Sequence, residues 1–205
     1  MSSELAIERF WDWFSVNEGR LRTMRVPSRE DLLDEILKNL QLIDERLYFE
    51  ISEPFDGIND FVITAEGKRE LFPLVDCIIA MAPKLNRWTF TALKPASGFE
   101  FSTQYGETTL KPSELWFLPL SSREDGSQSA KIGLRIGIPK LEEKDAKEAL
   151  CAAFVLLDTA IGEREMANAV GHVEVVSLPE HPRDCGYTEL LGFREFLDQR
   201  ERKSN

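Results

Sequence analysis

Residues 60–95 read DFVITAEGKRELFPLVDCIIAMAPKLNRWTFTALKP, and a strand, a covering helix and a second strand follow from it residue by residue. Phe61 and Ile63 alternate with Val62 and Thr64 at the two-residue period of a strand, and Glu66-Gly67 supplies a turn. Leu71, Leu74, Val75, Ile78 and Ile79 then recur at helical spacing. Trp88, Phe90 and Ala92 alternate with Thr89, Thr91 and Leu93. The spacing predicts strand 60–65, helix 69–82 and strand 87–94.

A second unit of the same kind follows. Ile132, Leu134, Ile136 and Ile138 alternate strictly with Gly133, Arg135 and Gly137, and the glycines leave room on their side for close approach of another segment. An acid-rich first turn at Leu141-Glu142-Glu143-Lys144-Asp145 opens a helix whose apolar side is Ala146, Ala149, Leu150, Ala153, Phe154, Leu157 and Ile161. Gly162 is placed to end or bend it, and 171–178 reads as a further strand.

Around these units the remaining elements follow. Glu4 to Phe14 carries Leu5, Ile7, Phe10, Trp11 and Phe14 on one helical side, with Trp13 just beyond it; such aromatics either cover a sheet or anchor a partner, and burial is the expected use. Pro27-Ser28, with Asp31 three residues after Ser28, signals a helix start with Ser28 as N-cap, and the stripe Leu32, Leu33, Ile36, Leu37, Leu40 and Ile43 extends that helix over 29–45. Leu47, Phe49 and Ile51 predict a strand that hairpins through Pro54-Phe55-Asp56-Gly57. Phe99, Phe101 and Thr103 predict another strand, followed by a turn at Tyr105-Gly106-Glu107, and Leu115 to Leu120 a further one. Ser121 to Ala130, SSREDGSQSA, reads as a hairpin connection. A loop at 181–186 precedes a last helix with Leu190, Leu191, Phe193, Phe196 and Leu197 on its packing side, and the charged tail from Gln199 is expected to fray.

The pattern predicts an α+β fold: a mainly antiparallel or mixed sheet with helices packed on one face, ferredoxin-like split βαβ units, and N-terminal helices. Residues 1–205 are expected to form a single α+β domain, with an N-terminal helical pair at 1–45, the sheet and its two covering helices at 46–178, and a C-terminal helix at 186–203. The alternative is two small α+β lobes joined near Ser121 to Ala130.

Composition narrows the function. The chain carries 36 acidic against 25 basic residues, a net charge of −11, so its averaged field repels phosphate backbones and anionic lipid headgroups. Neither nucleic acid nor membrane is an expected partner, and the apolar tract that contains Ala152 to Leu157 falls far short of the roughly 20 residues that span a bilayer. Three scattered cysteines, Cys77, Cys151 and Cys185, make no disulfide framework, and the N-terminus has no export signal; a cytoplasmic location is expected. Cys77 and Cys151 sit in apolar helical segments and read as small core residues.

The sequence carries no specific catalytic signature. His172, His181 and Cys185 are the nearest approach to a ligand set, at a spacing that matches no metal pattern, and no glycine-rich phosphate loop or nucleophile elbow is present. No metal and no cofactor are expected. The informative residues are polar ones inside apolar segments, Asp76, Asp158 and Arg135, because a buried charge is costly unless paired. Each either projects from the margin of its element into water, or Arg135 meets Asp158 or Glu174 on the sheet face away from the helices. The second arrangement makes a polar patch beside Trp88 or Trp116, so Trp88, Trp116, Arg135 and Asp158 are the candidate binding residues.

Phe10-Trp11-Asp12-Trp13-Phe14, with Ile63-Thr64-Ala65-Glu66-Gly67, Trp116-Phe117-Leu118-Pro119-Leu120 and Ala153-Phe154-Val155-Leu156-Leu157-Asp158, resembles a group of uncharacterised bacterial proteins of this length, over most of the chain. These are packing and turn residues, so the resemblance implies a small bacterial α+β protein and carries no catalytic role to any position. Two function classes remain. One is a non-catalytic acidic interaction protein (inhibitor, immunity-type or adaptor) that binds a protein partner with a basic surface. The other is a small enzyme or ligand-binding domain with a pocket near Arg135 and Asp158. The first accords better with the charge and with the lack of a catalytic constellation.

Overall fold

The aromatic spacing near the N-terminus produces helix α1 (Ser3–Arg22), whose Ile7, Phe10, Trp11 and Phe14 are all buried. The computed structural model describes residues 3–23, 29–52, 55–120 and 131–204, and the chain divides into two compact units, Met1–Lys94 and Pro95–Asn205. Both are α+β.

In the first unit α1 is followed by α2 (Arg29–Gln41), β1 (Tyr48–Ile51), β2 (Asn59–Thr64), a 3-10 turn (Arg69–Leu71), α3 (Phe72–Ala80) and β3 (Trp88–Ala92). The sheet order is β1-β2-β3, with β1 antiparallel and β3 parallel to β2. The strand-helix-strand reading of 60–95 is therefore realised with its two strands as direct neighbours. Phe61 is fully buried at the centre of the unit, with the rings of Phe10, Trp11, Phe14, Phe49, Trp88 and Phe90 at centroid distances from 5.1 to 6.5 Å. The Trp11 indole N–H donates to the Ile78 carbonyl at 2.8 Å, which fixes α1 on α3 without leaving a buried donor unpaired.

Local expectations are corrected at the end of α2 and at two cysteines. The Ser28 cap lies outside the described residues, and α2 stops at Gln41 instead of continuing to 45, so that Leu42 is 66 % exposed. Asp44 closes the following turn by accepting from the Arg46 backbone N–H at 3.0 Å and from its guanidinium at 2.9 and 2.8 Å. Cys77 is exposed, because α3 buries the stripe Phe72, Val75 and Ile78 and turns Cys77 away from it; Cys151 is only partly buried.

The second unit contains β4 (Thr103–Tyr105), β5 (Thr108–Leu110), a 3-10 turn (Pro112–Glu114), β6 (Trp116–Leu120), β7 (Ile132–Ile138), a 3-10 turn (Glu143–Asp145), α4 (Ala146–Ile161), α5 (Glu163–Ala169), β8 (Val170–Ser177), β9 (Thr188–Glu189), a 3-10 turn (Leu190–Gly192) and α6 (Phe193–Ser204). β4 and β5 form a hairpin, and the other four strands form a sheet ordered β8-β7-β6-β9, parallel between β7 and β8 and antiparallel elsewhere. Leu134 and Ile136 enter a core with Ala149, Ala152, Ala153, Leu156 and Leu157 of α4, where the alanines allow helix and sheet to approach closely.

The strand expected over 99–104 shrinks to β4. The reason lies upstream of it, where the Ser97 and Gly98 N–H groups donate to the Thr159 and Ala160 carbonyls at 2.9 and 3.1 Å, satisfying acceptors that the end of α4 leaves free, while Phe99 and Phe101 pack on the core. Helix α5 and strand β9 are additions to the sequence reading, and α6 continues through the charged tail to Ser204 instead of fraying at Gln199. The Ser121 to Ala130 connection lies outside the described residues, but the strands on either side pair antiparallel, with Leu120 opposite Gly133. Gly162 ends α4 at φ 83°, ψ 153°, a region essentially restricted to glycine.

Two stability predictions follow from these contacts. Gly162→Ala is expected to cost about 1–3 kcal/mol in a denaturant titration, since alanine must hold a conformation its Cβ opposes. The Arg46 side chain and backbone N–H draw the Asp44 pKa from an ordinary 3.8 to about 2, so the pair's stabilisation is fully present above pH 3.8 and is lost as pH falls through 2. Because the Arg46 side chain is 43 % exposed, solvent screening keeps this contribution small. Asp44→Asn should therefore lower stability at pH 7, with the difference from the wild type shrinking as pH falls through 2.

Candidate functional site

Alternation along β7 separates two chemistries. Ile132, Leu134, Ile136 and Ile138 point into the core under α4, so Gly133, Arg135 and Gly137 occupy the outer face of the sheet. The cross-strand register extends that face: Trp116 lies opposite Gly137 and Leu118 opposite Arg135 on β6, His172 is beside Gly133 and Glu174 beside Arg135 on β8, and Glu189 of β9 is opposite Trp116.

Arg135 is paired on this face. Its Nε–H donates to Glu174 Oε1, and Glu174 Oε2 lies 3.7 Å from His172 Nε2. The Glu174 hydrogen bond, aided by Tyr187, pushes the guanidinium above its ordinary range, so Arg135 is charged at any working pH. Of the two partners considered for Arg135, Glu174 is the one in contact. Asp158 belongs to α4, which covers the opposite face of the sheet. Trp88 belongs to the first unit, where it is buried among aromatic rings with its indole N–H unpaired. Trp116 and Arg135 thus share a surface, and Trp88 and Asp158 lie elsewhere.

What the sequence reading missed is the segment between β8 and β9, which folds back over this outer face. The Leu178 N–H donates to the Ile138 carbonyl at 2.9 Å, and a tight turn is closed by the Tyr187 and Cys185 N–H groups donating to the Pro182 carbonyl at 2.9 and 3.1 Å. Tyr187 is buried against Gly137: a Cβ at that glycine would stand 3.2 Å from the tyrosine ring and 2.5 Å from Leu178 Cδ1. The glycines of β7 were the visible signal, marking room for a close approach that Tyr187 and Leu178 fill.

Beside this turn is an open groove of about 380 Å³, lined by Trp116, Glu180, His181, Pro182, Arg183 and Asp184. The Arg183 guanidinium lies over the Trp116 ring, 5.7 Å from its centroid, and its Nη2 is held 2.7 Å from Glu189 Oε1. Trp116 is half-buried while the groove's ionisable side chains are exposed, an arrangement suited to holding a charged, planar group against an aromatic face. A second open hollow of about 490 Å³ is lined by Phe99, Phe101, Leu191 and four polar residues, with no comparable pairing of an aromatic face and an ion pair.

Among the described residues no group of three or more His, Cys, Asp or Glu side chains could hold a metal ion, and no helix is long and apolar enough to cross a membrane. Gly137→Val is expected to lower stability by about 1–3 kcal/mol, because the added methyls must displace Leu178 and press on Tyr187, and to expose Tyr187 to iodination that leaves it unmodified in the wild type. An unaltered melting curve and unaltered labelling would separate the turn from this face.

No family model, no curated protein and no solved structure matches the chain.

Proposed function

We propose that the protein is a non-catalytic interaction protein of the inhibitor, immunity or adaptor kind, and that it binds a protein partner with a basic surface through the outer face of the four-stranded sheet. The observation that carries this reading is the groove beside Trp116. It joins a half-buried tryptophan and a proline to the acidic side chains Glu180 and Asp184, and tryptophan and arginine on exposed faces are the residue types that dominate interface energetics. The net charge of −11 steers a basic protein toward the chain and a phosphate backbone away from it. The surface thiols Cys77 and Cys185 support a reducing, cytoplasmic location.

The test is capture on immobilised protein at ~0.05 and ~0.5 M salt, concentrations that differ about threefold in screening length. A basic protein retained at low salt should be released at high salt and lost with Trp116→Ala, at unchanged circular dichroism. Retention indifferent to both changes would exclude the groove as the binding surface.

A further inference from the structure

We propose that the Trp116 groove is a receptor for an arginine side chain of the partner and that Arg183 is its internal occupant, displaced when the partner binds. The inference rests on the interaction reading for the partner but on separate geometry for the site.

Arg183 already shows the mode of binding. A guanidinium is planar and weakly hydrated, and it stacks on an aromatic face while its N–H groups reach carboxylates at the edge. Here it lies 5.7 Å from the Trp116 centroid and donates to Glu189 at 2.7 Å. Glu189 faces Trp116 directly across the β6–β9 pair, so the aromatic face and the carboxylate are both fixed by the sheet.

The occupant itself is weakly held. The Arg183 side chain is 77 % exposed and its Glu189 partner 52 % exposed, and an exposed ion pair of this sort contributes little net stability. Glu180 and Asp184 line the same groove beside it, leaving acidic groups free to receive a second cation. An incoming arginine therefore exchanges one guanidinium for another on the same tryptophan, and the local surface becomes more electroneutral as it does so. A binding site occupied part of the time by its own chain shows a reduced apparent affinity in proportion to its vacancy, so removing Arg183 should strengthen binding.

The experiment is isothermal titration of the full chain with an acetylated Gly-Arg-Gly-Arg-Gly-Arg-Gly peptide and with the corresponding lysine peptide. Arg183→Ala should tighten the arginine peptide by about threefold or more, whereas Arg194→Gln, which removes a positive charge on α6, should leave it unchanged. Trp116→Leu should abolish the gain, and the lysine peptide should bind several-fold more weakly. Equal effects of Arg183→Ala and Arg194→Gln would reduce the result to bulk charge and overturn the proposal, as would equal affinity for both peptides. If the Arg183→Ala gain appears while lysate capture ignores Trp116→Ala, the arginine site stands and the protein-partner reading falls; the reverse pattern sinks the displacement and keeps the partner.

Discussion

A strand residue can face only one side of its sheet, and in β7 this constraint assigns every side chain its task. Isoleucine and leucine at 132, 134, 136 and 138 are committed to the core under α4. Arg135 is thereby forced to the other face, where a lone half-buried guanidinium would be costly and where Glu174 on the neighbouring strand meets it. The two glycines that flank Arg135 give that face depth, and Tyr187 and Leu178 come down over Gly137. A shift of one residue in this register would exchange the two faces, so the core and the groove depend on the same alternation.

The first unit is organised around a different economy. Its sheet is three strands wide, and an aromatic cluster lies at its centre: Phe61 on the central strand is surrounded by rings from α1 and from both neighbouring strands. Large rings bury much area at little loss of rotamer freedom, which suits a small unit with few core positions. The aromatic N-terminal helix, which on sequence alone was open to use as a contact surface, is spent on this core.

How far the sequence was legible depended on the range of the interaction. Most strands and helices and both strand-helix-strand units follow from hydrophobic spacing, which is local, and the need to compensate a charge in a strand pointed Arg135 toward Asp158 or Glu174, of which Glu174 is the one in contact. The loss of strand structure at 99–102 was hidden because its cause is the far end of α4, some sixty residues along the chain. The groove was hidden for the same reason. Residues 178–187 carry turn-formers and charges that look like an ordinary surface loop, and their seat on the sheet depends on Tyr187 meeting a glycine fifty residues earlier. Candidate residues chosen by type alone mixed the two environments: Trp88 and Trp116 are equivalent as letters, yet one is sealed among rings and the other borders an open groove.

The placement of the four tryptophans has a practical consequence. Trp11, Trp13 and Trp88 belong to the first unit, and two of them are buried; Trp116 is alone in the second, with a half-open face. Intrinsic fluorescence of the native chain is therefore dominated by one half of the molecule. With Trp116 replaced by phenylalanine, emission would follow the melting of the first half alone, and comparison with far-ultraviolet ellipticity would show whether the two halves lose their structure in one cooperative step or in two.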